Sequence, residues 1–329
     1  VSDTADENVN ADPSAGAGAT AVTGATAVTD DDRALLRAAR AFAGGSTLVG
    51  LWQVTSTLAL LATTTAAGAL LGPAWAWTLT PLWALVAVRV FVLQHDAGHR
   101  CLVKTRAGND WLGRILAVVT GVAHDGWRLE HDWHHQVTGR LDRRGIDLFN
   151  SPMTVAEARA NPARAAAVQR KVRPFTIAWL GMLALIVDRK RRAGFFIYRP
   201  GFRWATHDHA VRPGLWVNTT LHIGLHAVYI ATCGPWVWLT MLLPGHVLAG
   251  MVGALLFWVQ HNFEDSVVDD VGRWRFVAAA LQGSSYLRLP WPLSYFTAHI
   301  GLHHVHHLNA NIPNSRLEEA AAPSPPSRP

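Results

Sequence analysis

Residues 45–88 and 213–263 contain no Lys, Arg, Asp or Glu. Each stretch is long enough for two crossings of a bilayer at about 20 apolar residues per helix. Each is also broken near its middle by glycine and proline, at Gly72-Pro73 in the first and at Cys233-Gly234-Pro235 in the second. The pattern predicts two helical hairpins, the first made of helices over 46–71 and 74–94. Arg89, near the inner end of the second helix, is expected to snorkel to the membrane edge. Two shorter apolar runs, 111–123 and 175–187, are too short to span and are expected to lie at the interface. The expected fold is an all-α integral membrane protein with four transmembrane helices in two hairpins and a cytosolic helical cap.

The flanking segments complete the organisation. Residues 1 to about 32 are rich in Ala, Thr, Gly and Asp, with no basic residue before Arg33. This composition is expected to stay disordered, and it lacks the positively charged start of a signal peptide. Arg33, Arg37 and Arg40 follow as a basic approach to the membrane. The chain therefore divides into a tail and approach over 1–44, a membrane domain over 45–318, and a second disordered tail over 319–329. The net charge of +6 would suit nucleic acid, but its distribution does not. Basic residues crowd between the two apolar stretches, as in Arg189-Lys190-Arg191-Arg192. That is the asymmetry of a membrane protein whose cytoplasmic side is positive. Four crossings then place both termini in the cytoplasm, and nucleic acid is not an expected partner. Cys101 and Cys233 stand alone, so neither a disulfide framework nor a thiolate metal site organises the fold.

The candidate chemistry lies in the histidines. Nine of the 17 fall in three pentads: His95-Asp96-Ala97-Gly98-His99, His131-Asp132-Trp133-His134-His135 and His303-His304-Val305-His306-His307. Residues three and four apart share a helix face, so the histidines of each pentad can act together. His95 follows the second predicted crossing and His261 the fourth. His95, His99, His131, His134, His135, His261, His303, His306 and His307 could thus converge on one site under the bilayer. A zinc site takes three or four protein ligands, so this number favours two metal ions, and imidazole suits iron, zinc or copper. His222 and His226, mid-crossing, are read as packing or interhelical hydrogen bonding, with His246, His124, His207 and His209 treated alike. A metal carrier without catalysis would want polar groups along the crossings, which are nearly bare of them.

These boxes, in this order and spacing, resemble the membrane fatty acid desaturases, and within them the bacterial acyl-lipid omega-6 (delta-12) branch. The resemblance continues through Trp127-Arg128, Gly139-Arg140-Leu141-Asp142-Arg143-Arg144-Gly145, Gln260-His261-Asn262-Phe263-Glu264-Asp265 and Gly283-Ser284-Ser285-Tyr286. It is most specific over 303–314, which ends Ile312-Pro313-Asn314. It implies an oxidoreductase in a bacterial cell membrane with a cytoplasmic active site. Two iron ions would be held by the nine histidines, and O₂ would be the co-substrate. An acyl-lipid would be the substrate, and a ferredoxin or cytochrome b5 type protein the electron donor. A sister hydroxylase or ketolase acting on lipid or carotenoid would use the same boxes. The sequence departs from the branch at His299, where Asn is expected, at Ser266-Val267-Val268 and at Ser315, which bears on substrate and regiochemistry. Asp96, Asp132, Glu264 and Asp265 are expected to accept from imidazole N–H groups. His299, four residues before His303, would share its face in a continuing helix, as a further ligand or a donor beside the site. Arg143 and Arg144 could dock a donor or a lipid phosphate.

The topology is open to direct measurement. An impermeant thiol reagent applied outside is expected to label a cysteine placed at the Gly72-Pro73 turn and to miss one beside His135. The reverse labelling would reject the predicted orientation.

Overall fold

The computed structural model describes residues 28–143, 152–171, 173–179, 182, 183 and 205–322, and of 171 and 205–212 the backbone alone. These residues are helical, without strands; the extended pairings among them are the isolated bridges Arg140–Asp269 and Tyr286–Leu302. The helices are α1 (Asp30–Arg40), α2 (Thr47–Leu71), α3 (Pro73–Gly98), α4 (Arg106–Thr120), α5 (His124–Val137), α6 (Val155–Ala160), α7 (Pro162–Lys171) and α8 (Ala205–Cys233). They continue with α9 (Pro235–His261), α10 (Phe276–Gln282), α11 (Trp291–Phe296), α12 (His303–Leu308) and α13 (Leu317–Ala321).

Three helices, α2, α3 and α9, are long and apolar enough to cross a membrane. The expected third crossing is the 29-residue α8. It has the length, but Asn218, His222 and His226 dilute its apolar run. It also runs through Pro213, where the expected crossing began. Both hairpins turn on the same device. Gly72 and Gly234 adopt φ of 94° and 87°, each with an extended ψ, a conformation open essentially to glycine, and proline follows as the first residue of the next helix.

The central helix is α3, flanked by α2, α4, α9 and α11. The apolar cluster around it includes Val54, Leu61, Trp83, Val90, Leu93, Leu116 and Met241. Polar groups inside this cluster are paired, as a water-poor environment requires. Trp83 Nε1 donates to Thr65 Oγ1 at 3.0 Å. Pro244 has no N–H to give Thr240 O, and the Thr80 hydroxyl donates to that carbonyl at 2.9 Å. The irregularity is visible as a π-helical turn over Trp238–Leu242. Arg89 does not snorkel. It is buried, with Nε donating to Thr57 Oγ1 at 3.2 Å, a further bond to Tyr295 O, and its guanidinium 4.1 Å from the Tyr295 ring. A residue expected at the lipid edge instead ties α2 and α11 to α3.

Helix α4, from the run expected at the interface, is amphipathic: Trp111 and Ile115 are exposed while Leu116 and Ala117 are buried. Its C-terminal carbonyls, orphaned as at any helix end, are met by side chains. His222 Nδ1 lies 2.7 Å from Val118 O and His246 Nε2 lies 3.1 Å from Val119 O, while just past the helix Gln94 Nε2 donates to Val122 O at 2.8 Å. Of 175–187, only 175–179, 182 and 183 fall among the described residues.

The segment before residue 45 is not all tail. Thr29 and Asp32 form a reciprocal capping box that starts α1, with Asp30 to Asp32 in the first turn and Arg37 and Arg40 in the last. Helix α1 packs Leu36, Ala39 and Phe42 onto Leu302, Val305, Leu308, Ile312 and Leu317. Asp32 accepts from Arg275 at 2.7 Å. Residues 30–40 are thereby part of the cap.

Close helix contact generates a prediction. A Cβ on Gly245 would sit 2.5 Å from the Trp83 ring, and the bond to Thr65 keeps that ring from turning away. Helix propensity favours alanine over glycine by about 1 kcal/mol, whereas overpacking costs about 1–3 kcal/mol. Gly245→Ala is expected to lower the thermal midpoint in detergent; an unchanged or raised midpoint would show that α3 and α9 are free to separate.

Candidate metal centre

Four elements end or run at one place. His95 sits on the last turn of α3 and His99 is its C-cap; His261 is the last residue of α9. His131, His134 and His135 lie on α5, and His303, His306 and His307 on α12. Their imidazoles form two groups rather than one. His95, His99, His131, His135 and His306 make the first, and His134, His261, His303 and His307 the second. Within each group the ligand nitrogens all lie within 4.8 Å of one another. Sharing a face therefore understates what the pentads do. The i, i+4 pair His131/His135 serves the first group while His134, about 60° around the helix from His131 at 100° per residue, serves the second. Helix α12 does the converse, giving His303 and His307 to the second group and His306 to the first.

The inward-facing atoms are Nε2. His131 and His135 Nε2 are 3.1 Å apart, His135 and His306 3.0 Å, His134 and His261 3.0 Å, His261 and His303 3.0 Å, and His303 and His307 3.1 Å. On the outward side, His95 Nδ1 faces Asp96 Oδ1 at 3.2 Å and His261 Nδ1 faces Gly283 O at 3.3 Å. Such partners hold the proton on Nδ1 and leave the Nε2 lone pair pointing inward, the arrangement of metal-binding histidine. His95 and His99 Nε2 are buried without a hydrogen-bond partner. Burial, and after it the neighbouring imidazoles, holds His99, His131, His135, His303, His306 and His307 well below the ordinary histidine range. They are neutral at pH 7, and a neutral ring cannot donate from a nitrogen that must also accept. A cation in each group satisfies all of these lone pairs at once, so the residues fit two metal ions with an all-imidazole donor set.

The acidic candidates separate. Asp96 is buried and bonded to His95. Asp132 lies 3.8 Å from His99 Nδ1, beside Arg128 at 3.4 Å, and burial pushes its carboxyl up to about 6. Glu264 and Asp265 are exposed, with no bond to an imidazole among the described residues; the chain turns away after α9, and Gly283 O takes the place expected for them. His299 does not share a face with His303. Ala298 and His299 have φ of 46° and 58°, which interrupts the helix, and His299 Nδ1 meets Glu318 Oε1 at 2.9 Å and Ser294 Oγ at 3.1 Å. Asn and His both tolerate this left-handed conformation, which accounts for histidine where asparagine was expected. Arg143 pairs with Asp142 at 3.5 Å. Arg144 and the side chains of His207 and His209 lie outside the described residues, while His124 is buried against Gly113.

His222, His226 and His246 also cluster, but their protons are committed elsewhere. Trp238 Nε1 donates to His226 Nδ1 at 2.9 Å, so the His226 proton sits on Nε2, 3.2 Å from His222 Nε2. The result is a hydrogen-bonded chain tying α8 and α9 to the end of α4.

Sequence reasoning missed the aromatic rim. Trp127 stacks on His131 with centroids 4.5 Å apart, Phe91 meets Trp127 edge-on at 5.5 Å, and Phe257 lies 4.9 Å from His134 and 5.5 Å from His261. A Cβ on Gly98 would sit 2.7 Å from Trp127, which explains that glycine in the first pentad. The signal was present: Phe91, Trp127 and Phe257 each precede a ligand by four residues.

A family model for fatty acid desaturases matches residues 72–327. A fatty acid desaturase of Bacillus subtilis is 34% identical over 250 residues, covering 74% of this chain and 66% of that protein. An sn-1 oleoyl-lipid 12-desaturase of Synechocystis sp. is 26% identical over 260 residues, covering 75% and 66%. An sn-1 acyl-lipid omega-3 desaturase (ferredoxin) of Nostoc sp. is 26% identical over 257 residues, covering 75% and 65%. The chain thus spans just under two-thirds of the length of each of these relatives.

The two-group geometry predicts how metal is lost. Metal analysis of the purified chain is expected to find one ion per group, with His134→Ala removing the ion of its group and His135→Ala the other. A single ion in the wild-type chain would contradict the division.

Proposed function

The chain belongs to the fatty acid desaturase family, and from that premise we propose that it is an O₂-dependent di-iron desaturase. It would introduce a cis double bond into the acyl chain of a membrane lipid. The observation that carries this reading is the division of nine inward-facing imidazoles into two neighbouring groups at the ends of two apolar helices. Two irons bound there would supply the O₂ chemistry needed to break an unactivated C–H bond, which no side chain can do. The nine histidines would hold them, with Asp96 and the Gly283 carbonyl keeping the rings oriented.

The chain's own part is to deliver and hold the substrate. Phe91 and Phe257 sit one helical turn before His95 and His261, on the approach from the apolar helices. With Trp127 they offer an apolar wall beside the imidazoles against which methylenes can lie. Rigid positioning of one stretch of chain favours removal of hydrogen from two adjacent carbons over insertion of oxygen. The balance of the reaction also requires a partner. Two hydrogens leave the acyl chain, O₂ becomes two waters, and two electrons with two protons must enter. A ferredoxin or cytochrome b5 type donor meets that need, and relatives include a desaturase whose name specifies ferredoxin. Likeness to oleoyl-lipid 12-desaturases and, at the same identity, to an omega-3 desaturase supports a further double bond in an already unsaturated chain, and the resemblance around the boxes points to the omega-6 (delta-12) position.

In this reading α8 is the third crossing and α9 the fourth, so both termini and the centre face the cytoplasm of a bacterial cell membrane. Exposed tryptophans suit it: Trp75, Trp77 and Trp236 follow the two hairpin turns, and Trp52 begins α2, the positions of interfacial anchors.

Expression in a bacterium or yeast with a ferredoxin-type donor and air is expected to create new unsaturated acyl chains, read by gas chromatography–mass spectrometry of total fatty acids. His306→Ala should abolish them. Hydroxy acids, or altered carotenoids with unchanged fatty acids, would assign the chain to a sister chemistry instead.

A further inference from the structure

Helix α2 carries none of the nine histidines, yet one of its polar side chains reaches the centre through an unbroken set of hydrogen bonds, half-buried at Gln53 and buried from Asn314 inward. Gln53 Nε2 donates to Asn314 Oδ1 at 2.7 Å, and Asn314 Nδ2 donates back to Gln53 Oε1 at 3.2 Å. The other hydrogen of Asn314 Nδ2 goes to Asp96 Oδ2 at 2.8 Å, and the Asn314 backbone N–H goes to the same oxygen at 2.7 Å. Asp96 Oδ1 then faces His95 Nδ1 at 3.2 Å. Asp96 and Asn314 are each 2% exposed.

The chemistry of this set is directional. Asn314 uses both amide hydrogens and its carbonyl oxygen. A flipped amide would set Oδ1 against the Asp96 carboxylate and Nδ2 against the Gln53 donor. The acceptor-only Asp96 carboxylate therefore sets which way Asn314 points, Gln53 holds that amide in place with a reciprocal pair of bonds, and Asn314 fixes Asp96 Oδ2. With Oδ2 held by two donors, Oδ1 is left to accept from His95 and to keep its Nε2 lone pair in the five-histidine group.

We propose that Gln53 and Asn314 are positioning residues for His95, coupling the first apolar helix to the ion of the five-histidine group. The role rests on the two-ion reading of the centre. Loss of a link in such an outer arrangement weakens metal binding about 10–100-fold, and here the loss falls on one group alone.

Anaerobic Fe(II) titration of the full chain in detergent, with Mössbauer spectra of enriched iron to separate the two ions, tests it without turnover. Asn314→Ala is expected to weaken the ion of the five-histidine group at least about tenfold and to leave the His134/His261/His303/His307 ion unchanged. Asn314→Asp keeps the shape but faces Asp96 with a second carboxylate, so it should weaken the same ion further. A packing role would make that isosteric change the milder of the two. Gln53→Met, which keeps volume on an intact helix, should give a smaller loss at the same ion. Wild-type affinity in all three variants, or equal weakening of both ions, overturns the proposal. A wild-type chain holding no second ion overturns the two-ion reading itself and this role with it.

Discussion

Crowding of imidazole nitrogens is the constraint on which the structure depends. Five Nε2–Nε2 separations of 3.0–3.1 Å press ring nitrogens together in a buried site, where unsatisfied polar atoms are costly. Without a cation the arrangement opposes itself, and with one it becomes a ligand cage. The surrounding fold works to hold these rings together against that cost. Helices α3 and α9 deliver His95, His99 and His261 from the apolar layer, and α5 and α12 close over them from the cap. Asp96 and Gly283 O keep the rings turned inward.

Holding the rings requires α3 and α9 to be fixed relative to each other, and the apolar layer does this with small residues and committed polar groups. Gly245 admits Trp83, Thr65 fixes the indole, and Thr80 supplies the bond that Pro244 removes. Arg89 reaches both α2 and α11. Thr65, Thr80 and Arg89, polar groups within the apolar layer, are thus engaged in joining helices, as expected where water is scarce. The His222, His226 and His246 trio belongs to this class. Its bonds tie α8 and α9 to the end of α4.

Much of the fold was legible because burial in lipid imposes a simple rule, namely uninterrupted apolar helices of fixed length. The hairpin turns at Gly72-Pro73 and Gly234-Pro235 follow from it, as does a shorter, amphipathic α4. Where the rule weakens, so did the reading. Helix α8 mixes polar residues into a crossing-length helix, and α1 hides in an Ala- and Asp-rich segment whose packing partner lies far along the chain. His299 was misplaced because a helix was extended through residues whose backbone is left-handed.

The histidine boxes, together with His261, marked a set of imidazoles able to hold metal, because i, i+3 and i, i+4 spacing is a local property of one helix. Tertiary structure decided how those residues are shared: His134 parts from His131 and His135, and His306 from His303 and His307. It also decided that Glu264 and Asp265 face solvent, and that Gln53 and Asn314 reach His95. The physical reason is that a helix's own geometry sets only the angles between its side chains. Which of those directions meets a given ion depends on where the other helices stand, and that is settled by contacts between residues far apart in the chain.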